Sequence, residues 1–443
     1  MSTERTRTVG STATGTADHL PSAAPTTEEQ RRVATRAVVA ASVGNALEWF
    51  DIIVYASFAV VISKLFFPET SGVTALLYTF GAFGVSYLIR PLGAMVLGSY
   101  GDRAGRKAAL TLTIAIMTVG TAIMGFAPTA ATIGTGAGLL ILLSRLLQGF
   151  SAGGEFGTAT AFLIEHAPDR KGFYASWQVA TQGASMFLAS LFGFALNSWL
   201  TTEQLESWGW RVPFLFGMLI GPVGFYIRSR MSETPDFVET ETVKSPLWST
   251  IGHNTGRVLT GAACVGLATI SVYLILYMPT FAVKSLALPA GAGYLGGIIS
   301  GLVTLIGVPY VGHLTDRVGP VVIMRAATVA AVVLAWPMFA LLVANPSIWG
   351  LTVVEVILGI IMALYFGPLP ALLSELFPTH IRTTGLSVSY NLGVTLFGGF
   401  APLVLTWLID RTGSLMSPSL YYIAIGLLSL VGLFVARSRY VLR

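Results

Sequence analysis

The sequence predicts an all-α membrane protein of twelve transmembrane helices, arranged as two pseudo-symmetric six-helix bundles. Three observations carry that prediction. The 443-residue chain is 54% hydrophobic and 11% charged, with a mean hydropathy of +0.73, whereas soluble globular proteins carry about 25% charged residues. Apolar stretches of roughly 20 residues, long enough to cross a hydrocarbon core of about 30 Å, recur along it. Two charged loops also echo each other: Gly98-Ser-Tyr-Gly-Asp102-Arg103-Ala-Gly105-Arg106-Lys107 and, in the second half, Gly312-His-Leu-Thr-Asp316-Arg317-Val-Gly319. A motif repeated at that separation marks two halves built to one plan.

In chain order, residues 1–36 are rich in Ser, Thr, Ala and Pro and lack an apolar h-region. They read as a disordered cytoplasmic tail and not a cleaved signal. The first bundle, 37–228, holds six apolar runs at about 38–63, 75–99, 108–127, 137–164, 173–200 and 210–228. The longest polar interruption after the tail, 229–252, is the expected cytoplasmic central loop. The second bundle, 253–443, holds runs at about 256–283, 291–312, 321–343, 348–376, 383–408 and 418–436, then a short cytoplasmic tail. A second echo supports the division. Glu165-His-Ala-Pro168-Asp-Arg170-Lys-Gly172 follows the fourth run, and Glu375-Leu-Phe-Pro378-Thr-His-Ile-Arg382-Thr-Thr-Gly385 follows the tenth. The spacings Gly149/Gly153, Gly153/Gly157 and Gly297/Gly301 predict close helix approach. Pro91, Pro213, Pro309, Pro368 and Pro370 predict bends in or near the runs.

Basic residues set the expected orientation. With the N-terminus inside, the cytoplasmic loops gather Arg103, Arg106, Lys107, Arg170, Lys171, Arg228, Arg230, Lys244, Arg317, Arg325 and Arg382. The opposite side has Lys64, Arg211, Lys284 and Arg411. That asymmetry is the positive-inside pattern, with both termini cytoplasmic. The net charge of +5 therefore reports topology and excludes no membrane role, while giving no reason to expect nucleic acid. Cys264, the single cysteine, lies inside an apolar run and reads as a small buried hydrophobe.

Ionisable groups within apolar runs are costly, about 2.5–3.5 kcal/mol each on the insertion scale, so each demands a reason. The first run places Asn45, Glu48, Ile52 and Tyr55 on one helical face, with Asp51 beside it. Two carboxylates less than a turn apart suit a group that holds and releases a proton. Asp51, deeper in the run, is the expected carrier. Arg90 in the second run presents a planar fork suited to a substrate carboxylate. The fourth run adds Arg145, Gln148 and Glu155; Arg145 either partners Asp51 or touches substrate. Gln178 and Gln182 are neutral donors one turn apart in the fifth run. In the second half Tyr273, Tyr277, Tyr365, Tyr390 and Asn391 are further polar handles, and Glu355 is expected in a structural ion pair.

Asp102, Arg103 and Arg106, with Asp316 and Arg317 in the second copy, are expected to pair across the bundles in one conformation and so to act as gates. Gly319-Pro320 replaces the Arg106-Lys107 of the first copy, which predicts a weaker second gate. Catalytic readings fall away. Gly149-Phe-Ser151-Ala-Gly153 fits G-x-S-x-G, but that motif needs a strand–turn–helix elbow and here lies within a helical run. No H-E-x-x-H, Walker loop or cysteine pair occurs, so neither a metal nor a cofactor is expected, only a proton as coupling ion. Two homologous bundles around a central site is the plan of a secondary transporter.

Several motifs resemble one family jointly. The Gly98–Lys107 loop resembles the signature of the major facilitator superfamily. Gly44-Asn45-x-Leu47-Glu48-x-Phe50-Asp51, Ile89-Arg90-Pro91-Leu-Gly93, Arg145-Leu-Leu-Gln148-Gly149-Phe-Ser-Ala-Gly-Gly-Glu155 and Trp208-Gly209-Trp210-Arg211-Val-Pro213-Phe214 resemble its metabolite:proton symporter family. Within it, Lys171-Gly-Phe-Tyr-Ala-Ser-Trp177-Gln178-Val-Ala-Thr-Gln182 and Phe397-Gly-Gly-Phe-Ala-Pro402 look most like citrate and tricarballylate symporters, apart from Gly183 where those have a second glutamine. The resemblance implies proton-coupled uptake of a small carboxylate across a bacterial inner membrane. Tricarboxylates come first, dicarboxylates or zwitterions such as a ketoacid or betaine second, and proton-driven export of an organic acid or drug is the rival direction. It also implies a monomer in the lipid bilayer, with no nucleic-acid partner.

Overall fold

The computed structural model describes residues 42, 45–68, 71–104, 106–153, 155–156, 160, 163, 170–229, 246–289, 291–378 and 381–440. The predicted tail 1–36, Gly157 and most of the linker 229–252 lie outside them. So do the side chains of Asp102, Arg103 and Arg106.

The described residues are helical throughout their regular structure, and a helix occupies each of the twelve predicted spans. The first half comprises α1 (Asn45–Ser57) with α2 (Ala59–Phe66), α3 (Gly72–Leu88) with α4 (Arg90–Ala104), α5 (Arg106–Phe126), α6 (Gly136–Ala152), α7 (Lys171–Trp199) and α8 (Arg211–Ser229). In the second half α9 (Pro246–Lys284), α10 (Ala292–Val318) and α11 (Pro320–Ala344) come first. The chain continues through α12 (Ile348–Phe366) with α13 (Leu369–Leu376), then α14 (Arg382–Val394) with α15 (Ala401–Thr412), and ends in α16 (Ser417–Tyr440). Among the described residues, 8 helices are long and apolar enough to cross a membrane, and the pair α1–α2, bent by 68°, makes a ninth. Large apolar side chains face outward, with Ile306 71% and Leu341 70% exposed. On a soluble protein such a surface would drive association; here it is the face turned to lipid.

The breaks have local causes. Pro91 carries no N–H for the carbonyl four residues back, on Tyr87, and the helix is interrupted between Leu88 and Arg90. The Tyr87 carbonyl instead accepts from Thr395 Oγ1 at 3.3 Å, a residue of the other half. α14 and α15 are joined by a wide turn over Thr395–Gly399. Glycine is required there by close approach: a Cβ on Gly398 would stand 2.0 Å from Thr269 Cγ2, and one on Gly399 would stand 2.5 Å from the Tyr87 ring. α9 starts at Pro246 and loses helical geometry at Asn254. The last residues of the expected central loop are therefore a helical extension ahead of the seventh span.

The predicted glycine spacings do bring backbones together, the form of association available where lipid weakens the hydrophobic drive. A Cβ on Gly149 would lie 1.9 Å from the Ser86 carbonyl oxygen, and one on Gly153 2.0 Å from that of Arg90. The second and fourth spans are thus in backbone contact beside Arg90. Gly297 and Gly301 of α10 face Ser190 and Phe187 of α7 in the same way. The halves meet along two seams. One is α7 against α10, the most extensive helix contact described; the other is α3 against α15 and the Thr395–Gly399 turn. Between those seams the faces of both bundles converge on Arg90.

Candidate functional site

Two carboxylate–guanidinium pairs lie inside the first bundle. Glu48 on α1 faces Arg90 on α4, with Oε1 to Nη2 at 3.0 Å and both side chains under a tenth exposed. Asp51, one turn further along α1, meets Arg145 on α6, with Oδ2 to Nη2 at 2.7 Å and almost no exposure. Buried pairs of this kind gain little net stability, because desolvation offsets the attraction, yet removing one partner is costly. Their surroundings differ more than their burial does.

The Asp51–Arg145 pair is enclosed by its own bundle. Thr121 Oγ1 donates to Asp51 Oδ1 at 3.1 Å, and Gln148 Nε2 donates to Thr121 at 3.2 Å. The Arg145 guanidinium lies 4.3 Å from the centre of the Tyr55 ring, whose hydroxyl donates to the Thr79 carbonyl.

The Glu48–Arg90 pair is walled partly by the second bundle. Arg90 lies 4.2 Å over the Tyr87 ring, and the Tyr87 hydroxyl is hydrogen-bonded to that of Tyr273 on α9. Tyr390 of α14 stacks flat on Phe156 and stands beside Gln182 of α7. Arg90 Nε and both the nitrogen and the oxygen of the Gln182 amide are buried without a well-aligned hydrogen-bond partner, as are Arg145 Nε and Gln148 Oε1 at the other pair. Polar groups so buried and unmatched are rare in folded proteins; those beside Arg90 lie where residues of both bundles meet. Glu155 and Glu48 line one small cavity with Thr113 and Ser151.

The structure thus brings Glu48, Arg90, Gln182, Tyr273 and Tyr390 of the expected set together. It adds Tyr87, which sequence reasoning passed over. The available signal was its position three residues before Arg90, on the same face, with a carbonyl that Pro91 leaves free. The other expected residues stand elsewhere. Asn45 donates to the Gln178 carbonyl and so braces α1 against α7, while the Gln178 amide accepts from Thr160 and faces the Phe156 carbonyl, bracing α7 against the fourth span. Asn391 spans the halves, donating to the carbonyl of Gly153 at 3.1 Å. Tyr277 accepts from Thr406, and the Tyr365 hydroxyl donates to the Cys264 carbonyl within the second bundle, so neither points to Arg90. Cys264 itself is free and buried. Glu355 has no ion pair among the described residues, contrary to expectation, because no basic side chain of α10–α13 reaches it.

At the end carrying the charged loops, Asp316 of α10 accepts from the backbone N–H of Gly172 at 2.7 Å and of Phe173 at 3.1 Å. A carboxylate so placed caps the N-terminus of α7, where free amides and the helix dipole favour negative charge. The contact crosses the bundles. Arg317 follows it as the last basic residue of α10.

A model of the Major Facilitator Superfamily matches residues 46–402. The chain is 39% identical over 386 residues to the citrate-proton symporter of Klebsiella pneumoniae, covering 86% of this chain and 87% of that one. It is 35% identical over 412 residues to the ectoine/proline transporter of Corynebacterium glutamicum, covering 86% of this chain and 79% of that one. Among solved structures, the crystal structure of a D-xylose-proton symporter superposes with a TM-score of 0.73 at 15% identity, covering 91% of this chain and 97% of that one. That likeness concerns the fold alone. With most of its length matched and its two-bundle architecture described, this chain is a membrane transporter, not an enzyme, and belongs to the major facilitator superfamily.

Proposed function

We propose that the transporter imports a small carboxylate together with protons, citrate or a related tricarboxylate first, by alternating exposure of a site centred on Arg90. The observation that carries this reading is the Glu48–Arg90 pair at the junction of the bundles, with Arg90 Nε and the Gln182 amide unmatched beside it. A proton on Glu48 removes the negative charge that occupies Arg90. The guanidinium then takes a substrate carboxylate as its counter-ion, through a planar fork that suits it. Tyr87, Tyr273, Tyr390 and Gln182 supply hydroxyl and amide groups to the remaining oxygens. When the proton leaves toward the cytoplasm, Glu48 reclaims Arg90 and the carboxylate is displaced.

Glu48, and not Asp51, is the exchanging acid in this scheme. Asp51 and Arg145 serve as a fixed strut, with Tyr55, Gln148, Asn45 and Gln178 holding α1 in place and Glu155 extending the polar region beside Glu48. Residues 37–228 and 253–443 are the two rocking bodies, and Asp316 on the α7 N-terminus, with Arg317, is a latch on the cytoplasmic side. Asp102, Arg103 and Arg106 are its counterparts in the first half. The distribution of basic residues among the loops supports a topology with both termini in the cytoplasm of a bacterial inner membrane.

Charge explains the need for protons. A membrane negative inside opposes anion entry by about 2.3 kcal/mol per charge per 100 mV. Each co-transported proton cancels one charge. The test is uptake of labelled citrate into proteoliposomes under an inward proton gradient, with and without a protonophore. Protonophore-sensitive accumulation, competed by unlabelled tricarboxylates, supports the reading; oriented, active protein that accumulates no carboxylate refutes it. A second reading, uptake of a zwitterion carrying one carboxylate, is favoured by the likeness to an ectoine/proline transporter and by the single arginine in the site. There the ring of Tyr87 and that of Trp49, 6.5 Å from the Tyr273 ring, would face the cationic end, and competition by betaine but not citrate identifies it.

A further inference from the structure

We infer that Glu355 is a second proton-binding group, held in the second bundle and released to water only when the α7–α10 seam opens. Glu355 lies eight residues into α12, about 10 Å along the axis from its start at 1.5 Å per residue, and is 0% exposed. Neither carboxyl oxygen has a well-formed hydrogen bond; the carboxyl lies against the backbone of Gly296 and Gly297 on α10. The fit requires glycine, since a Cβ on Gly296 would stand 1.6 Å from Glu355 Oε2. The backbone beside it is fixed by Ser300 Oγ, which donates to the Glu355 carbonyl at 2.7 Å.

No charge faces this carboxyl from the helices packed around α12. On α10 the nearest titratable group is Tyr294, whose hydroxyl donates to the Ser57 carbonyl, while His313, Asp316 and Arg317 lie at the far end. On α9, Tyr273 and Tyr277 are engaged with Tyr87 and Thr406, Cys264 lies deeper in the bundle, and Arg257 and Lys284 mark the two ends of the span. On α11, Arg325 belongs to the opposite end, and Glu375 of α13 is exposed there. An isolated carboxylate without water or counter-charge is not tolerated at such a place, so the closed form holds the neutral acid.

The position links that proton to transport. Gly296 touches Glu355, and the next residue, Gly297, about 100° further round α10, abuts Ser190 of α7. The carboxyl therefore borders the seam between the bundles. Parting of α7 from α10 at this end admits water, the acid ionises, and its proton passes to that water. Reclosure expels water and requires a proton to be taken up again. The proton is released to and recovered from the water on one side and is not carried across; a group neutral in the closed state and ionised in the open one makes closure of that end depend on pH, independently of Glu48.

This inference rests on the proton-coupled reading above, and its test separates the two. Wild-type and Glu355→Gln proteins are compared in proteoliposomes for substrate exchange across pH without a gradient, and the wild type also for accumulation under an imposed proton gradient. Glutamine mimics the neutral acid, so exchange is expected to persist. Exchange by the wild type is expected to slow as pH rises, by up to about tenfold per pH unit for one proton, and Glu355→Gln is expected to lose that component. An identical pH profile of exchange in the two proteins overturns the inference, whereas wild-type protein without proton-driven accumulation overturns the functional reading itself. Should the variant fail to assemble, wild-type protein is treated with a hydrophobic carbodiimide, which modifies neutral carboxyls, and mapped by mass spectrometry. Modification at Glu355 that changes with substrate supports the inference; absence of modification at every pH, with and without substrate, refutes it.

Discussion

Replacing Glu48 by Gln keeps the shape of the side chain and removes the negative charge that stands 3.0 Å from Arg90. Breaking a buried pair by removing one partner costs about 3–5 kcal/mol, because the other charge is left without compensation. Arg90 cannot lose its own charge, so an anion is the remaining source of relief. Substrate binding to Glu48→Gln should therefore recover part of that penalty. Its ceiling is a gain in affinity of roughly two to three and a half orders of magnitude, at 1.4 kcal/mol per factor of ten. Tighter binding by at least about tenfold is expected. Binding to the wild type should strengthen as pH falls, since the proton that neutralises Glu48 frees Arg90, whereas the variant should lose this component. Exchange of internal for external substrate should survive while proton-driven accumulation is lost. Equilibrium binding across pH and paired exchange and accumulation assays measure all three. Wild-type accumulation by Glu48→Gln, or a pH profile of binding that stays as steep as that of the wild type, would refute the reasoning.

Four further outcomes follow from the geometry. Asp51→Asn leaves Arg145 buried without its carboxylate, so thermal stability in detergent should fall by the equivalent of about 3–5 kcal/mol; Asp51→Asn with Arg145→Gln should recover most of it, and a double variant no more stable than the single one counts against a strut. Tyr87→Phe and Tyr273→Phe each strand one hydroxyl of a buried pair, at about 1–3 kcal/mol, so the double variant should lose less than the sum, and strictly additive losses contradict the pairing. Asp316→Asn removes the charge from the α7 N-terminus, and a Ser176→Cys reporter opposite Gly312 should then alkylate several-fold faster, Cys264 being buried and silent; an unchanged rate argues against a latch. Gly153→Ala sets a methyl 2.0 Å from the Arg90 carbonyl oxygen, a backbone obstacle that cannot rotate away, so a loss of at least about 1–3 kcal/mol with impaired uptake is expected, and normal uptake would show the spans to be looser than described.

Much of the architecture was legible because lipid imposes it. A run of about 20 apolar residues has few structural options in a bilayer, and the echo around Asp102 and Asp316 pointed to two like halves. Glycine spacing likewise named the contacts at Gly149, Gly153, Gly297 and Gly301. Pairing between helices was harder. Glu48 and Asp51 face Arg90 and Arg145 on two other helices, and spacing along one chain cannot say which acid meets which base. Tyr277 and Tyr365 looked equivalent to Tyr273 and Tyr390 because a tyrosine in an apolar run reveals a polar tip but not the direction in which it points. Glu355 was expected to have a partner by the general rule for charges in membranes; the neutral acid satisfies the same rule by another route. The start of α9 at Pro246 escaped notice because a polar helix outside the apolar run carries no hydropathy signal.

The two ion pairs also show why burial alone does not locate coupling. Both are nearly sealed from solvent, and either acid fits a list of proton-carrier candidates. Asp51 and Arg145 are surrounded by Tyr55, Thr121 and Gln148, residues of the same bundle, which travel with them when the halves rock. A pair whose neighbours all move together has the same environment in every state, and so has no differential free energy to contribute to switching. Glu48 and Arg90 stand against Tyr273 and Tyr390 through Tyr87, across the line where the bundles part. The carbonyl of Tyr87, released by Pro91, is held by Thr395 of the opposite half. Movement of α14 and α15 must therefore disturb the backbone that carries Arg90. Coupling of proton to carboxylate belongs where the surroundings change, and of the two pairs only this one meets that condition.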